Sequence, residues 1–287
     1  MRQRGTRNDG RRHPFRLAPP LGATLLALAV AALGTACARG AGKGQDATQG
    51  SPAPTQSSAN DEAETVPRAL SSVPTSEKVV ALTYDDGPGA GASGTPAVVA
   101  LLKAARARAT FFVLGEELRQ RPEVVRAAAG AGMEIENHGD RHRNLAALAP
   151  GPLAADIARG ADAIATETGR RPHFLRPPFG AQNARVRAAA HDLGERVVLW
   201  SVDTRDWTNP GSDVIVRRVL GQVAPGAIVL LHDGGSDRSQ TVEATRQLLP
   251  ALRARGYQMV TLARLIAIAS THPSAPEPRT DAAGRPP

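Results

Sequence analysis

The sequence predicts an α/β fold, a distorted (β/α) barrel of seven or eight units with the active site at the C-terminal ends of the strands. Between residues 78 and 269, short apolar runs alternate with longer Ala-, Arg- and Leu-rich stretches of helical period. Such alternation is typical of parallel strands joined by helical crossovers. In addition, polar clusters directly follow five of the apolar runs, and this is the end of the strands where (β/α) barrels place their active sites.

The predicted elements follow one another in regular order. The apolar runs that we take as strands lie at 79–82, 110–114, 133–135, 174–175, 197–200, 228–231 and 258–260. The helical stretches between them lie near 95–105, 122–131, 152–167, 183–193, 213–223 and 241–254. Pro96 and Pro122 stand where the first turn of a helix tolerates proline, and Gly169 and Gly256 stand where a helix end favours glycine. Residues 78–269 therefore predict a single domain.

The two ends of the chain have a different composition. Residues 1–36 combine six arginines with an apolar run from Leu21 to Leu33, which suits the h-region of an export signal. A short transmembrane anchor or a buried helix is the alternative interpretation. Residues 37–77 and 270–287 contain few large apolar side chains, so they predict a disordered tether and a disordered tail.

The only cysteine, Cys37, follows Leu33-Gly34-Thr35-Ala36. This segment resembles the lipobox of bacterial lipoprotein signals, although Gly34 stands where an apolar residue is favoured. Cleavage by an ordinary signal peptidase is the alternative, and Arg11-Arg12 leaves general secretion and twin-arginine export both open. A lone cysteine excludes an intrachain disulfide. We expect an exported protein, either extracellular or lipid-anchored on the outer face of the cell membrane.

The net charge does not indicate nucleic-acid binding. The whole chain carries +8, but residues 1–36 contain six Arg and one Asp and so account for +5, which leaves +3 for the remainder. The basic balance therefore comes largely from the predicted signal, and no nucleic-acid partner is expected.

Two clusters carry the residue types of a metal site. Asp85-Asp86 follows the first predicted strand; adjacent carboxylates repel, so one is normally held ionised by a cation while the other can act as a base. A solvated turn is the alternative, since Gly87-Pro88 follows. His138 and His142 follow the third strand, and with one carboxylate they would leave coordination positions open for water and substrate.

Three further clusters follow later strands. Arg176 precedes two prolines that hold its turn rigid, although an arginine that caps a helix end would give the same pattern. Asp203 and Asp206 follow the fifth strand, and His232 follows the sixth. A histidine at a strand end can also be a core residue. In a barrel, however, all five clusters would converge on one rim.

Taken together, the five clusters resemble the motifs of the NodB-homology polysaccharide deacetylases, carbohydrate esterase family 4. The matching segments are 83–88, 137–142, 176–180, 203–207 and 230–232. The resemblance extends from about Lys78 to Arg264. Three positions depart from the family pattern: Tyr84 replaces a more usual phenylalanine, Phe179 replaces tyrosine, and Gly139 replaces the hydroxyl residue of His-[Ser/Thr]-x-x-His.

The resemblance implies a divalent metal ion, zinc in the first place with cobalt or manganese as alternatives. The implied metal ligands are Asp86, His138 and His142. Asp85 would be the general base, oriented by Arg176. His232 would be the general acid that protonates the leaving amine, and Asp206 would keep it charged until then.

The remaining implied residues form the oxyanion site and the acetyl pocket. The backbone N–H of Phe179 would stabilise the oxyanion, a role that the change from tyrosine leaves intact. Trp207 and Leu230 would line the pocket for the acetyl methyl group. Gly139 is the departure with the largest implied effect, because the family's hydroxyl helps to fix the histidine loop, and its loss is expected to loosen metal binding without abolishing it.

The implied function is metal-dependent removal of N-acetyl groups from an extracellular polysaccharide. Peptidoglycan N-acetylglucosamine is the preferred substrate, because a tethered exported enzyme meets the cell wall first. The alternatives are chitin or chitooligosaccharide, O-acetylated xylan or muramic acid, a small-molecule amide, and a non-catalytic glycan-binding lipoprotein of the same fold. We expect a monomer whose partner is the polysaccharide, with membrane contact only through a signal or lipid anchor.

Overall fold

The structure is a computed structural model and describes residues 66–273. The predicted export signal and Cys37 lie outside the described residues, as do residues 38–65 of the predicted tether and the predicted tail beyond residue 273. Among the residues that the structure describes, no helix is long and apolar enough to cross a membrane.

Eight strands form one parallel sheet in the described part of the chain. They are β1 Val79–Gly87, β2 Thr110–Val113, β3 Glu134–Asn137, β4 Phe174–Leu175, β5 Arg196–Val197, β6 Val202–Asp203, β7 Ala227–His232 and β8 Gln258–Val260. Their order is β5-β4-β3-β2-β1-β7-β6, and β8 pairs in addition with the start of β1. Within residues 66–273 no ladder joins β5 to β6. The predicted α/β barrel is therefore confirmed. It is distorted in that the sheet stays open between β5 and β6.

Eight helices cover the sheet between residues 66 and 273. They are α1 Thr95–Ala104, α2 Gly115–Gln120, α3 Pro122–Gly130, α4 Pro150–Thr168, α5 Ala184–Asp192, α6 Ser212–Gln222, α7 Ser239–Ala254 and α8 Leu262–Thr271. Local signals set their ends. Pro96 lies in the first turn of α1, the Asn183 side chain accepts a hydrogen bond from Val186 N at the start of α5, and Gly169 ends α4 in the left-handed conformation.

Three elements were absent from the sequence prediction. Helix α2 has six residues, fewer than two turns, and gives no periodic pattern. Strand β6 has only two residues. Helix α8 follows Thr261, whose side chain accepts a hydrogen bond from Arg264 N, so a threonine N-cap was a readable signal that the prediction did not use. Strand β5 is also shorter than its predicted range of 197–200.

The central strand β1 places the site at the rim of the sheet. Its residues from Val79 to Asp85 are buried, because β2 and β7 flank it and helices cover both of its faces. Leu102 of α1 and Leu248 of α7 belong to the core on one face, and Leu265 of α8 belongs to the core on the other. The core therefore holds the strand rigidly up to its last residues, where the carboxylates begin.

The predicted tether was placed at 37–77, but residues 70–75 at its C-terminal end belong to the folded domain. Leu70 N donates a hydrogen bond to Val197 O at 2.9 Å, and Val73 N donates to Gly226 O at 2.9 Å. Val73 is buried in the core beside α8. The composition of the segment is polar overall, but Val73 and Thr75 are buried, Leu70 packs against the core, and backbone hydrogen bonds join the segment to the sheet. The domain thus begins before Lys78.

The C-terminal boundary also lies beyond the predicted residue 269. Helix α8 continues to Thr271, and the Thr75 hydroxyl donates a hydrogen bond to His272 O at 2.7 Å. The two ends of the domain therefore contact each other, and each was placed a few residues too far inward.

Deleting residues 66–77 is expected to destabilise the domain, whereas deleting residues 38–65 is expected to leave its stability unchanged. Loss of the buried Val73 side chain removes about 1.5–3 kcal/mol of burial free energy, which corresponds to about 5 °C in melting temperature for a domain of this size. Thermal melts of the two deletion variants, followed by circular dichroism, measure the difference. Equal melting temperatures would show that residues 66–77 contribute nothing to the core.

Candidate active site

The predicted site residues meet at the C-terminal rim of the sheet, around a cavity of about 540 Å³. The lining residues are Asp85, Asp86, His138, His142, Phe179, Gly180, Trp200, Asp203, Trp207, Leu230 and His232. A larger cavity of about 680 Å³ lies near Glu134 and His173, at the opposite end of the strands. Volume alone would select that larger cavity, but eight of the ten predicted site residues line the smaller one, and the other two, Arg176 and Asp206, form hydrogen bonds to lining residues. We therefore take the smaller cavity as the candidate site.

An irregularity at the end of β1 brings two consecutive carboxylates into the cavity. The pairing of β1 with β2 shifts register between Asp85 and Gly87, and Asp86 has a φ of 71°. In a regular strand, neighbouring side chains point to opposite faces. The register shift and the left-handed residue cancel this alternation, so Asp85 and Asp86 both line the cavity.

Asp86, His138 and His142 form a set of potential metal ligands. Oδ1 of Asp86 lies 3.3 Å from Nε2 of His138 and 3.2 Å from Nε2 of His142, and one ligand atom from each residue lies within 4.8 Å of the others. Burial raises the pKa of Asp86, but the two imidazoles lower it by more, so its pKa lies well below the ordinary value. The carboxylate is therefore ionised.

The donor set fits a divalent cation. Oδ1 of Asp86 is buried and has no hydrogen-bond partner among the described residues, and a buried polar atom in that state costs free energy. His138 Nδ1 lies 2.6 Å from the backbone oxygen of Arg176. This contact makes Nδ1 the protonated nitrogen and leaves the lone pair of Nε2 directed to the ligand set. One carboxylate oxygen and two imidazole nitrogens are ligands that Zn²⁺ prefers.

Asp85 forms a buried ion pair with Arg176. The Arg176 Nη1 donates to Asp85 Oδ1 and to the Thr83 hydroxyl, each at 2.7 Å, and its Nη2 donates to Leu199 O at 2.9 Å. The guanidinium carbon also lies 4.1 Å from the centre of the Phe112 ring. The arginine is fully buried and does not line the cavity, so it fixes the position of Asp85 from behind.

His232 is held by Asp206 in a second buried pair. Nδ1 of His232 lies 2.7 Å from Oδ1 of Asp206, while Oδ2 accepts from His232 N at 2.8 Å and from the Thr241 hydroxyl at 2.7 Å. Burial lowers the pKa of His232, but the Asp206 carboxylate raises it by more, so the net pKa is raised. The pair leaves Nε2 of His232 for the cavity and favours the protonated form of the ring.

Phe179 and Trp207 form the exposed aromatic rim of the cavity. Their exposed fractions are 67% and 52%, and they are the two large apolar residues of the described chain that remain exposed. The Phe179 ring meets the His142 ring edge to face, with centroids 4.4 Å apart. Its φ of 63° is uncommon for a residue other than glycine. Exposed rings of this kind offer apolar contact area to a ligand that enters the cavity.

Comparisons with known proteins agree with this geometry. A family model described as polysaccharide deacetylase matches residues 72–198. The peptidoglycan-N-acetylglucosamine deacetylase of Bacillus cereus is 41% identical over 196 residues, which cover 68% of this chain and 91% of that protein. The chain belongs to the polysaccharide deacetylase family. The sequence-based assignment to this family and to an enzymatic deacetylase is thereby confirmed.

Two further relatives of this deacetylase differ in their named substrates. The chitooligosaccharide deacetylase of Bradyrhizobium sp. is 39% identical over 198 residues, which cover 65% of this chain and 90% of that protein. A crystal structure of a peptidoglycan N-acetylglucosamine deacetylase in complex with 4-naphthalen-1-yl-N-oxidanyl-benzamide has a TM-score of 0.66 and 33% identity. That match covers 69% of this chain and 92% of the other.

Several residues of the deacetylase site were absent from the sequence prediction. The Thr83 hydroxyl accepts a hydrogen bond from Arg176, and the Thr241 hydroxyl donates one to Asp206. Trp200 lines the cavity. The Thr95 hydroxyl donates a hydrogen bond to the Asp233 carboxylate. This carboxylate lies so close to Gly87 that a Cβ atom at residue 87 would clash with it. Thr83 lies in the matching segment 83–88, but no role was assigned to it. Thr95 and Thr241 each contribute a single hydroxyl at a distance in sequence from the partner, so no local pattern could have identified them.

A buried carboxyl group lies below the histidine loop of the deacetylase. Asn137 Nδ2 is 3.0 Å from both carboxyl oxygens of Glu195, and Asn137 Oδ1 accepts from Gly139 N at 2.8 Å. Burial raises the pKa of Glu195 from 4.5 to about 8, although the Asn137 amide lowers it in part. The group is therefore neutral in the folded state at pH 7 and charged in the unfolded state.

Glu195→Gln is expected to remove a pH dependence of stability. Because the folded-state pKa lies above the unfolded-state pKa, the wild-type free energy of unfolding falls as pH rises from about 4.5 to about 8, by roughly 1.4 kcal/mol per pH unit. The glutamine variant stays neutral and should lose the part of this slope that Glu195 contributes, while the buried Asp233, whose pKa burial raises to about 7, keeps its own part. Urea unfolding at pH 5 and pH 9 measures it. A wild-type protein with equal stability at both values would contradict the assignment.

Proposed function

We propose that this deacetylase is a metal-dependent enzyme that removes N-acetyl groups from peptidoglycan N-acetylglucosamine outside the cell. The observation that carries the proposal is the arrangement of three side-chain groups around one cavity. The ligand set of Asp86, His138 and His142 lines the same cavity as Asp85 of the ion pair with Arg176 and His232 of the pair with Asp206. Hydrolysis of an amide needs a base, an acid and a stabilised carbonyl oxygen, and the cavity offers all three.

The metal ion would be Zn²⁺, with Co²⁺ or Mn²⁺ as alternatives, and would polarise the acetamide carbonyl and lower the pKa of water. Asp85 accepts a proton from the attacking water, and Arg176 keeps its carboxylate pointed into the cavity. The new C–O bond forms as the carbonyl oxygen gains negative charge, to which the backbone N–H of Phe179 donates a hydrogen bond.

The second half of the reaction breaks the C–N bond. His232 donates its proton to the amide nitrogen from Nε2, so that the sugar amine leaves neutral and acetate remains. Asp206 keeps the ring oriented and charged before this transfer. Trp207 and Leu230, which both line the cavity, contact the acetyl methyl group and exclude larger acyl chains.

The location outside the cell rests on the sequence of residues 1–77. An arginine-rich segment, an apolar run and Cys37 at the end of a lipobox-like pattern support export, with either a lipid anchor or free secretion. A tether before the domain would let an anchored enzyme reach the surrounding wall polymer. This setting favours peptidoglycan over a soluble oligosaccharide.

Two other functions compete with this proposal. A chitooligosaccharide deacetylase is supported by the 39% identity to such an enzyme. A non-catalytic glycan-binding protein would not need a base, an acid and three ligands, all of which are present here around a single cavity, so we favour an active enzyme.

Acetate release from peptidoglycan, chitooligomers and acetylxylan, measured side by side at equal acetyl concentration, tests the proposal. We expect the highest kcat/KM on peptidoglycan, and we expect Asp85→Asn to lose activity on every substrate. Faster release from chitooligomers would favour the second candidate, and no release from any polymer would favour the binding protein.

A further inference from the structure

The loop between the two histidines is held from the inside by a carboxylate on another helix. Asp156 of α4 is fully buried. Its Oδ1 accepts a hydrogen bond from Asp140 N at 2.9 Å, and its Oδ2 accepts from Arg143 Nε at 3.0 Å and from Arg143 Nη2 at 2.6 Å. Asp156 thus contacts the loop in its middle and again just after His142.

Gly139 and Asp156 occupy complementary space. Gly139 has a φ of 84°, a conformation that L side chains rarely adopt. A Cβ atom at this position would lie 2.8 Å from Oδ1 of Asp156, which is closer than van der Waals contact allows. The carboxylate therefore takes the space into which a serine or threonine side chain at residue 139 would project.

The two histidines depend on this contact to different extents. His138 is oriented separately, through its Nδ1 contact with the backbone oxygen of Arg176. Among residues 66–273, no hydrogen bond orients Nδ1 of His142; its ring contacts Asp86 and the edge of Phe179. The position of His142 therefore follows the backbone of the loop, and Asp156 holds that backbone.

We infer that Asp156 is a positioning residue for the metal site, and that it replaces the loop hydroxyl that Gly139 lacks. This inference rests on the proposed metal site. Asp156 binds the loop through Asp140 N and Arg143, which sets the distance of His142 from His138 and Asp86. A residue that orients a metal ligand typically changes metal affinity by 10–100-fold when it is removed.

Gly139 was expected from the sequence to loosen metal binding, but its contact with Asp156 gives it the opposite effect. Glycine at residue 139 does not loosen the loop, because the absence of a side chain there leaves the space that the Asp156 carboxylate occupies. Restoring the hydroxyl with Gly139→Ser should therefore weaken metal binding, since the serine meets both an unfavourable φ and the Asp156 oxygen.

Zinc affinity, measured by competition with a chromophoric chelator, tests the inference, together with the absorption spectrum of the Co²⁺-loaded protein and the melting temperature of the metal-free protein. We expect Asp156→Ala and Gly139→Ser each to weaken zinc binding by about 10-fold or more and to alter the Co²⁺ spectrum. The double variant should lose less than the two losses combined, because removal of the carboxylate relieves the clash. Asp162→Ala, at an exposed position of the same helix, is the matched control and should bind zinc as the wild type does.

Asp156→Asn separates positioning from stability. It keeps an oxygen for Asp140 N and loses the charge that pairs with Arg143, so its melting temperature should fall while its zinc affinity stays within about threefold of the wild type. Wild-type zinc affinity in folded Asp156→Ala, or tighter binding by Gly139→Ser, would overturn the inference alone. If Asp156→Ala does not fold, Gly139→Ser decides. A wild-type protein that binds no zinc would overturn the metal proposal and this inference with it.

Discussion

Stripping the deacetylase of divalent metal is expected to lower the rate of acetate release by about 10³-fold or more, because a metal ion supplies several kcal/mol of transition-state stabilisation. Adding Zn²⁺ or Co²⁺ should restore the rate. The reason lies in the ligand set, in which a buried oxygen of Asp86 has no hydrogen-bond partner among the described residues and faces two imidazole nitrogens. Acetate release after chelation and after back-titration measures the effect.

Two histidine variants give this prediction a matched control. His142→Ala removes one proposed ligand and should weaken metal binding far more than it lowers the melting temperature. His191→Ala changes an exposed histidine of α5 and should do neither. An unchanged rate in protein shown by elemental analysis to contain no metal would end the metal hypothesis.

Asp206→Asn is expected to lower kcat by about 10²-fold or more, the usual contribution of a general acid, and to move the alkaline limb of the pH–rate profile to lower pH. Asp206 raises the pKa of His232, so the protonated acid persists to higher pH in the wild type. Asparagine removes that charge, and His232 then loses its proton at lower pH. Profiles of kcat against pH for both proteins measure the shift.

The metal content of Asp206→Asn should equal that of the wild type, because Asp206 contacts His232 and Thr241 rather than the ligand set. Asp203→Asn is the control, since Asp203 also lines the cavity but its Oδ1 accepts from Arg205 N. An alkaline limb that moves in Asp203→Asn and stays in place in Asp206→Asn would transfer the role to Asp203.

The sequence predicted the parts of the fold that local patterns encode. Long amphipathic helices such as α4 lie within two residues of their predicted ends, because apolar period and terminal glycines mark them. The two-residue strand β6 and the six-residue helix α2 carry no such period. Residues 70–75 were assigned to the tether from their composition. Their ordered structure comes from contacts with residues that are distant in sequence, and composition carries no information about such contacts.

The residues of the candidate site could be predicted from the sequence, whereas the contacts that support them could not. Asp86, His138 and His142 stand in short motifs after strands, so their meeting follows from the parallel sheet. Asp156 lies in the middle of a helix and has no motif of its own. Its role depends on the left-handed backbone at Gly139, which becomes visible only when both residues are placed in three dimensions.

Arg176 has a consequence for how the enzyme can change during evolution. Its side chain holds Asp85, and its backbone oxygen holds His138, so one residue fixes the positions of both the proposed base and a proposed metal ligand. The following Pro177-Pro178 restricts movement of this point. We therefore expect the spacing between Asp85 and His138 to change only as a unit, and substrate preference to change more readily through residues that do not contact Arg176, such as those at the aromatic rim.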